Sequence, residues 1–200
     1  LSAIAEIATD YVEVPVVAYM PNLSWWQEDK IDLYLDAFNE LLLPQTTVLV
    51  GNHSTLSRWL LPDWSSERSP TARDIARAAN ELGVPYTLVT GIPLPDQFID
   101  NALCSPTAVL CSHKFERFEA SFSGAGETLS AALTALIASE TELTEAVAEA
   151  LSYLDRCLDG GFRPGMGHVL PDRLFWAQPE SEDDEALESS FEISPNDTRH

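Results

Sequence analysis

The segment Ser121-Phe122-Ser123-Gly124-Ala125-Gly126-Glu127-Thr128 places two glycines, a carboxylate and a hydroxyl at the entry to an apolar helix. Glycines on either side of Ala125 let the backbone turn tightly and approach another molecule closely. The first amides of the helix have no acceptor within it, and together with the positive end of the helix dipole they make an anion site out of backbone. Glu127, in the first turn, sets a possible base beside that site. Phosphoryl transfer needs this combination, because positioning and charge stabilisation supply most of its catalysis. The same residues also fit a plain glycine turn in which Glu127 only complements the dipole, and a single short motif leaves both readings open.

The elements that must position this turn alternate in type. Ile4, Ile7, Ala8 and Tyr11 share one face of a helix over residues 3–11. Val14–Tyr19 is a short apolar strand, and Ser24 with Gln27 resembles a capping box for a helix carrying Ile31, Leu35, Phe38 and Leu42. Pro44 marks the end of that helix, Thr46–Val50 is the next strand, and His53–Leu61 a short helix. Ser69-Pro70 reads as N-cap and first position of a helix that stops at Gly83, and Tyr86–Val89 is a third strand. Helices and strands at this spacing imply a mostly parallel sheet with helices on both faces, a three-layer α/β/α arrangement.

Beyond Pro93 the pieces Phe98–Leu103, Ala108–Ser112 and Phe115–Ala120 lie too close together for crossover helices, so an antiparallel flank is expected near residues 97–120. Two helices follow, about 126–138 and 142–158, then a glycine-containing loop at 163–168 and a last strand at Arg173–Trp176.

The 200 residues suit one domain, taken as 1–177, followed by an acidic tail over 178–200. Residues 179–200 hold eight Asp and Glu against one Arg, and that stretch is expected to be disordered. A formal charge of −21 argues against nucleic acid or an anionic membrane as partner. Any phosphate must then be held by local dipoles and a metal ion. Cys104, Cys111 and Cys157 have no CxxC spacing and fit reduced thiols in a cytoplasmic protein. No apolar run reaches the ~20 residues that span a bilayer. His53 and His113 have no partners at metal-ligand spacing, so no protein metal site is expected.

Three segments in order carry a resemblance. They are Leu42-Leu43-Pro44-Gln45-Thr46-Thr47-Val48-Leu49-Val50-Gly51-Asn52, then Gly83-Val84-Pro85-Tyr86-Thr87-Leu88-Val89-Thr90-Gly91, then Gly124 to Ala132 with the later Gly165-Met166-Gly167-His168. Together they resemble the C-terminal two-thirds of the ribokinase-like small-molecule kinases, most closely hydroxymethylpyrimidine/phosphomethylpyrimidine kinase of thiamine biosynthesis. The resemblance implies an ATP- and Mg²⁺-dependent kinase acting on a small heterocycle, and a homodimer. It implies that Gly124, Ala125 and Gly126 form the anion hole, that Glu127 is the catalytic base, and that Asn52, Thr90 and Thr128 lie at the nucleotide. It makes His168 a structural loop residue.

It also implies a strand and glycine-containing turn about 60–70 residues upstream of Leu1. Three departures stand out. Position 127 is usually Asp in the superfamily and Cys in the pyrimidine kinases; a Lys is expected near Thr90; and an acidic residue is expected soon after Asn52, near Thr55. Pyridoxal kinase, and a non-catalytic nucleotide- or pyrimidine-binding homologue, are the alternative readings.

Overall fold

In the computed structural model, which describes residues 1–177, strand β2 (Val48–Asn52) runs through the middle of the chain's two cores. Its residues alternate between them. Leu49 packs into one cluster with Ala18, Met20 and Ile75, and Val48 and Val50 pack into the other with Leu129, Leu133 and Leu151. Such a continuous apolar run suits a strand covered on both faces.

Around it lie α1 (Ser2–Asp10), β1 (Val17–Met20), α2 (Glu28–Ala37), α3 (His53–Leu60), α4 (Ala72–Glu81), β3 (Tyr86–Pro93), β4 (Phe98–Cys104), β5 (Val109–Glu116), α5 (Ala125–Ala138) and α6 (Leu143–Asp159). The five strands stand in the order β1-β2-β3-β4-β5, the first three parallel and the last two antiparallel. Helices α2 and α4 contribute to one core, and α5 and α6 to the other. The expected α/β architecture and its antiparallel flank are both present. No helix among the described residues is long and apolar enough to cross a membrane.

Local expectations are corrected at several points. No capping box forms at Ser24 and Gln27. The Ser24 amide donates to Asn22 Oδ1 at 2.9 Å, and α2 starts at Glu28 with no side-chain cap. Pro44 does not end that helix. The chain continues through a π turn (Phe38–Leu42) into a 3₁₀ turn (Leu43–Gln45), where a proline at the start of the new turn lacks only an N–H that would have no partner.

Thr71, not Ser69, caps α4. Its hydroxyl accepts from the Asp74 amide at 3.2 Å, and Asp74 accepts from the Thr71 amide at 2.9 Å, a reciprocal pair Ser69 cannot make. The two pieces expected at 108–112 and 115–120 are a single strand, β5, which ends at Glu116. It is an edge strand, so its exposed polar residues, Ser112 and Lys114, do not interrupt it. Arg173–Trp176 is not a strand; Phe175–Ala177 forms a 3₁₀ turn beside α6, with the Phe175 ring 5.9 Å from that of Tyr153. The acidic tail lies outside the described residues.

Candidate active site

The glycine turn sits where the segment before α5 meets the C-terminal loop. The Ser123 amide donates to the Val169 carbonyl (2.9 Å) and the Val169 amide to the Ser121 carbonyl (3.0 Å). Gly124 then takes φ +90° as the N-cap of α5, a left-handed conformation that favours glycine. The first intrahelical bond runs from the Thr128 amide to the Gly124 carbonyl at 3.0 Å. The amides of Ala125, Gly126 and Glu127 precede it and have no acceptor within the helix. The buried Thr128 hydroxyl donates to the same Gly124 carbonyl at 2.7 Å and closes the turn.

The group that approaches Gly126 closely is Tyr19, from β1. A Cβ on Gly126 would lie 2.2 Å from the Tyr19 Oη. Alternation along β1 sends Ala18 and Met20 to one core and turns Val17 and Tyr19 towards α5. Burial, and secondarily the charge of Glu127, push the Tyr19 hydroxyl up from 10.0 to about 12, so at neutral pH it remains a hydrogen-bond donor.

The loop after Val169 delivers Arg173 to the other side of the turn. Arg173 Nε donates to Thr128 Oγ1 at 2.9 Å, and its Nη2 lies 2.8 Å from where a Gly124 Cβ would stand. Tyr153 Oη fixes the Arg173 backbone by donating to its carbonyl at 3.1 Å.

A cavity of about 190 Å³ opens next to the turn. Asn52, Thr90 and Gly91 reach it from the C-terminal parts of β2 and β3, and Ala125 and Gly126 from α5; Phe118, Leu151 and Leu154 make its wall apolar. Asn52 caps α3, its Oδ1 accepting from the Ser54 amide (3.0 Å) and hydroxyl (2.9 Å). Thr90 pairs with Asn52 in register and donates from Oγ1 to the Gly51 carbonyl at 3.3 Å. The β3–β4 register shifts between Val89 and Ile92, and buried Asn101 Oδ1 accepts the Gly91 amide there at 2.9 Å. That bulge turns the strand end away from its partner and leaves Thr90 at the cavity. Asp155 also lines it, and burial, then the charge of Asp159, raise its carboxyl from its ordinary value.

Asn52, Thr90, Ala125 and Gly126 therefore share one cavity. Glu127 and Thr128 line a second, wider cleft of about 640 Å³ together with Ala131, Leu136, Tyr153 and Arg173. Successive helical residues point about 100° apart, which is why one turn serves both spaces. Gly124, between them, is the N-cap. His168 is exposed in its loop, and His53 Nε2 lies 2.7 Å from the Pro70 carbonyl. Among the described residues no three His, Cys, Asp or Glu side chains cluster as a metal site.

Sequence reasoning missed Tyr19, Asn101 and Arg173. Asn101 is a polar residue directly before the apolar run Ala102-Leu103-Cys104, and Tyr19 is the one residue with a polar tip in its strand; both were available signals. Arg173 has none, being brought to Thr128 across 45 residues by loop packing.

A family model described as phosphomethylpyrimidine kinase matches residues 3–172. Among solved structures, the Bacillus subtilis pyridoxal kinase in its ADP complex superposes with a TM-score of 0.70 at 21% identity, covering 90% of this chain and 69% of that one. The Staphylococcus aureus pyridoxal kinase with AMP-PCP and pyridoxal gives 0.69 at 18% identity, over 88% and 66%. The Entamoeba histolytica pyridoxal kinase gives 0.62 at 20% identity, over 86% and 63%. At these identities the likeness is one of fold, and the chain spans about two thirds of the length of these structures. No curated protein matches the chain.

Proposed function

The chain belongs to the phosphomethylpyrimidine kinase family, and on that footing we propose that it transfers a phosphoryl group from ATP to a small heterocycle. The acceptor is the hydroxymethyl group of hydroxymethylpyrimidine, or the phosphate of its monophosphate, in thiamine biosynthesis. One observation carries the reading: Asn52, Thr90, Ala125 and Gly126, far apart in sequence, line one cavity at the C-terminal ends of parallel strands. Open α/β sheets bind ligands there.

The apolar wall suits a nucleobase. A whole drug-sized ligand needs roughly 300 Å³ or more, so the phosphates extend out of the cavity over the glycine turn. There the free amides of Ala125, Gly126 and Glu127 face developing charge that the chain's net charge of −21 would otherwise repel. Glu127, in the adjoining cleft, receives the acceptor's proton. Thr128 keeps the turn closed through its bond to Gly124.

Mg²⁺ arrives on the nucleotide phosphates, where one or two protein carboxylates suffice. The carboxylates that line the nucleotide cavity, Glu116 and Asp155, fit that need, and bound Mg²⁺ would neutralise phosphate charge. We further propose a cytoplasmic homodimer. Pyridoxal as acceptor is the second reading, favoured by the pyridoxal kinases among the structural neighbours.

Acceptor-dependent ADP release by the purified chain with ATP and Mg²⁺ tests the proposal. Release that depends on hydroxymethylpyrimidine or its monophosphate is expected. Release with pyridoxal alone would move the acceptor to the second reading, and release with none of them would leave a non-catalytic binding protein.

A further inference from the structure

We propose that Arg173 is a phosphate-binding residue of this site, its guanidinium fork closing over the phosphoryl group that the Gly124–Gly126 turn holds from the opposite side. The inference rests on the kinase reading above and adds a side chain to it.

The geometry is specific. Arg173 Nε is committed to Thr128 Oγ1 at 2.9 Å, and that hydroxyl is tied to the Gly124 carbonyl at 2.7 Å, so the guanidinium is indexed to the turn itself. Its backbone is held by the Tyr153 hydroxyl, and the loop that carries it is held by the Ser121–Ser123 pairing with Val169. Gly124 lacks the side chain that would collide with Nη2, since a Cβ there would stand 2.8 Å away.

Arg173 is exposed, and an anion beside it would relieve an unfavourable placement. A cation is favoured at a helix C-terminus and disfavoured at the N-terminus, where Arg173 sits. Among the described residues both ion pairs end on Asp74, and no carboxylate lies within ion-pair distance of Arg173. One N–H of the fork is used, which leaves the Nη donors for the bidentate contact that guanidinium makes with phosphate. An anion between these donors and the free amides of Ala125 to Glu127 satisfies both. The cleft of about 640 Å³ on the Glu127 side has room for it.

Calorimetric titration of the full chain with tripolyphosphate, AMP-PCP and ADP tests this, in wild type, Arg173→Ala and Arg173→Lys. Losing a bond between charged partners should weaken tripolyphosphate and AMP-PCP about ten- to a hundredfold in Arg173→Ala. ADP should be little changed, and Arg173→Lys should lie between, since it keeps the charge and loses the fork. Wild-type affinity for all three ligands in Arg173→Ala overturns the assignment, as does a wild-type chain that binds no tripolyphosphate. Equal weakening of ADP and AMP-PCP overturns the assignment to the transferred group. Arg173-dependent binding of tripolyphosphate without binding of either nucleotide upholds the role of Arg173, and it is then the kinase reading that fails.

Discussion

Tyr19 lies directly against Gly126, so close that a methyl group added to the glycine would stand 2.2 Å from the phenolic oxygen. The contact joins the end of β1 to the first turn of α5, and it gives Gly126 a packing reason to lack a side chain alongside its proposed part in the anion hole. Tyr19 thus packs against the turn as well as against the core.

Gly126→Ala should therefore destabilise the fold. Overpacking costs about 1–3 kcal/mol, and the better helix propensity of alanine offsets up to about 1 kcal/mol of that. In a double-mutant cycle followed by urea unfolding, Tyr19→Ala should abolish the penalty of Gly126→Ala, because the space is then free. Additive losses would mean that the Tyr19 contact is not the reason.

The Tyr19 hydroxyl gives a pH signature. Its pKa is raised from 10.0 to about 12, mainly by burial and then by Glu127. A raised pKa in the fold means the neutral form is the stabilised one. The contribution is fully present below pH 10 and is lost as pH rises towards about 12. Ultraviolet titration of phenolate formation should show a late-ionising tyrosine that disappears in Tyr19→Phe. Glu127→Gln should bring it down only in part, since burial is the larger cause.

Asp74 gives the opposite sign. Hydrogen bonds from Arg68, and then from Thr71, hold its carboxyl well below the usual carboxylate range against the effect of burial. Its contribution is present above the ordinary carboxylate pKa and is lost as pH falls through the depressed value. Thr71→Ala should cost about 0.5–2 kcal/mol through loss of the cap. Thermal melts of wild type and Asp74→Asn should diverge at neutral pH and converge in acid; a constant gap would contradict the assignment.

Much of this architecture is visible in the sequence because periodicity reports burial. The alternation of helix and strand up to Val89, the antiparallel flank and the stripes of α5 and α6 all follow from residues whose apolar faces must be covered. Errors fall where local chemistry competes. Ser69-Pro70 is a good helix start, but Thr71 with Asp74 makes two bonds instead of one. His113 and Lys114 read as a break between strands, yet at a sheet edge polar residues are tolerated, Lys114 exposed and His113 half-buried. In the site, backbone features such as the glycine turn are written in consecutive residues and could be read. The side chains packed against that turn, Tyr19 and Arg173, come from positions 107 and 47 residues away from Gly126, and only the packed fold brings them there.

The most direct test of phosphoryl transfer at this turn is single-turnover transfer from ATP by wild type and Glu127→Ala, with nucleotide affinity measured on the same samples. If Glu127 takes the acceptor's proton, the transfer rate should fall on the order of 10²–10⁴-fold, while nucleotide affinity stays near that of wild type. A variant that transfers as fast as wild type, or a wild type that binds nucleotide and transfers nothing to either heterocycle, would contradict it.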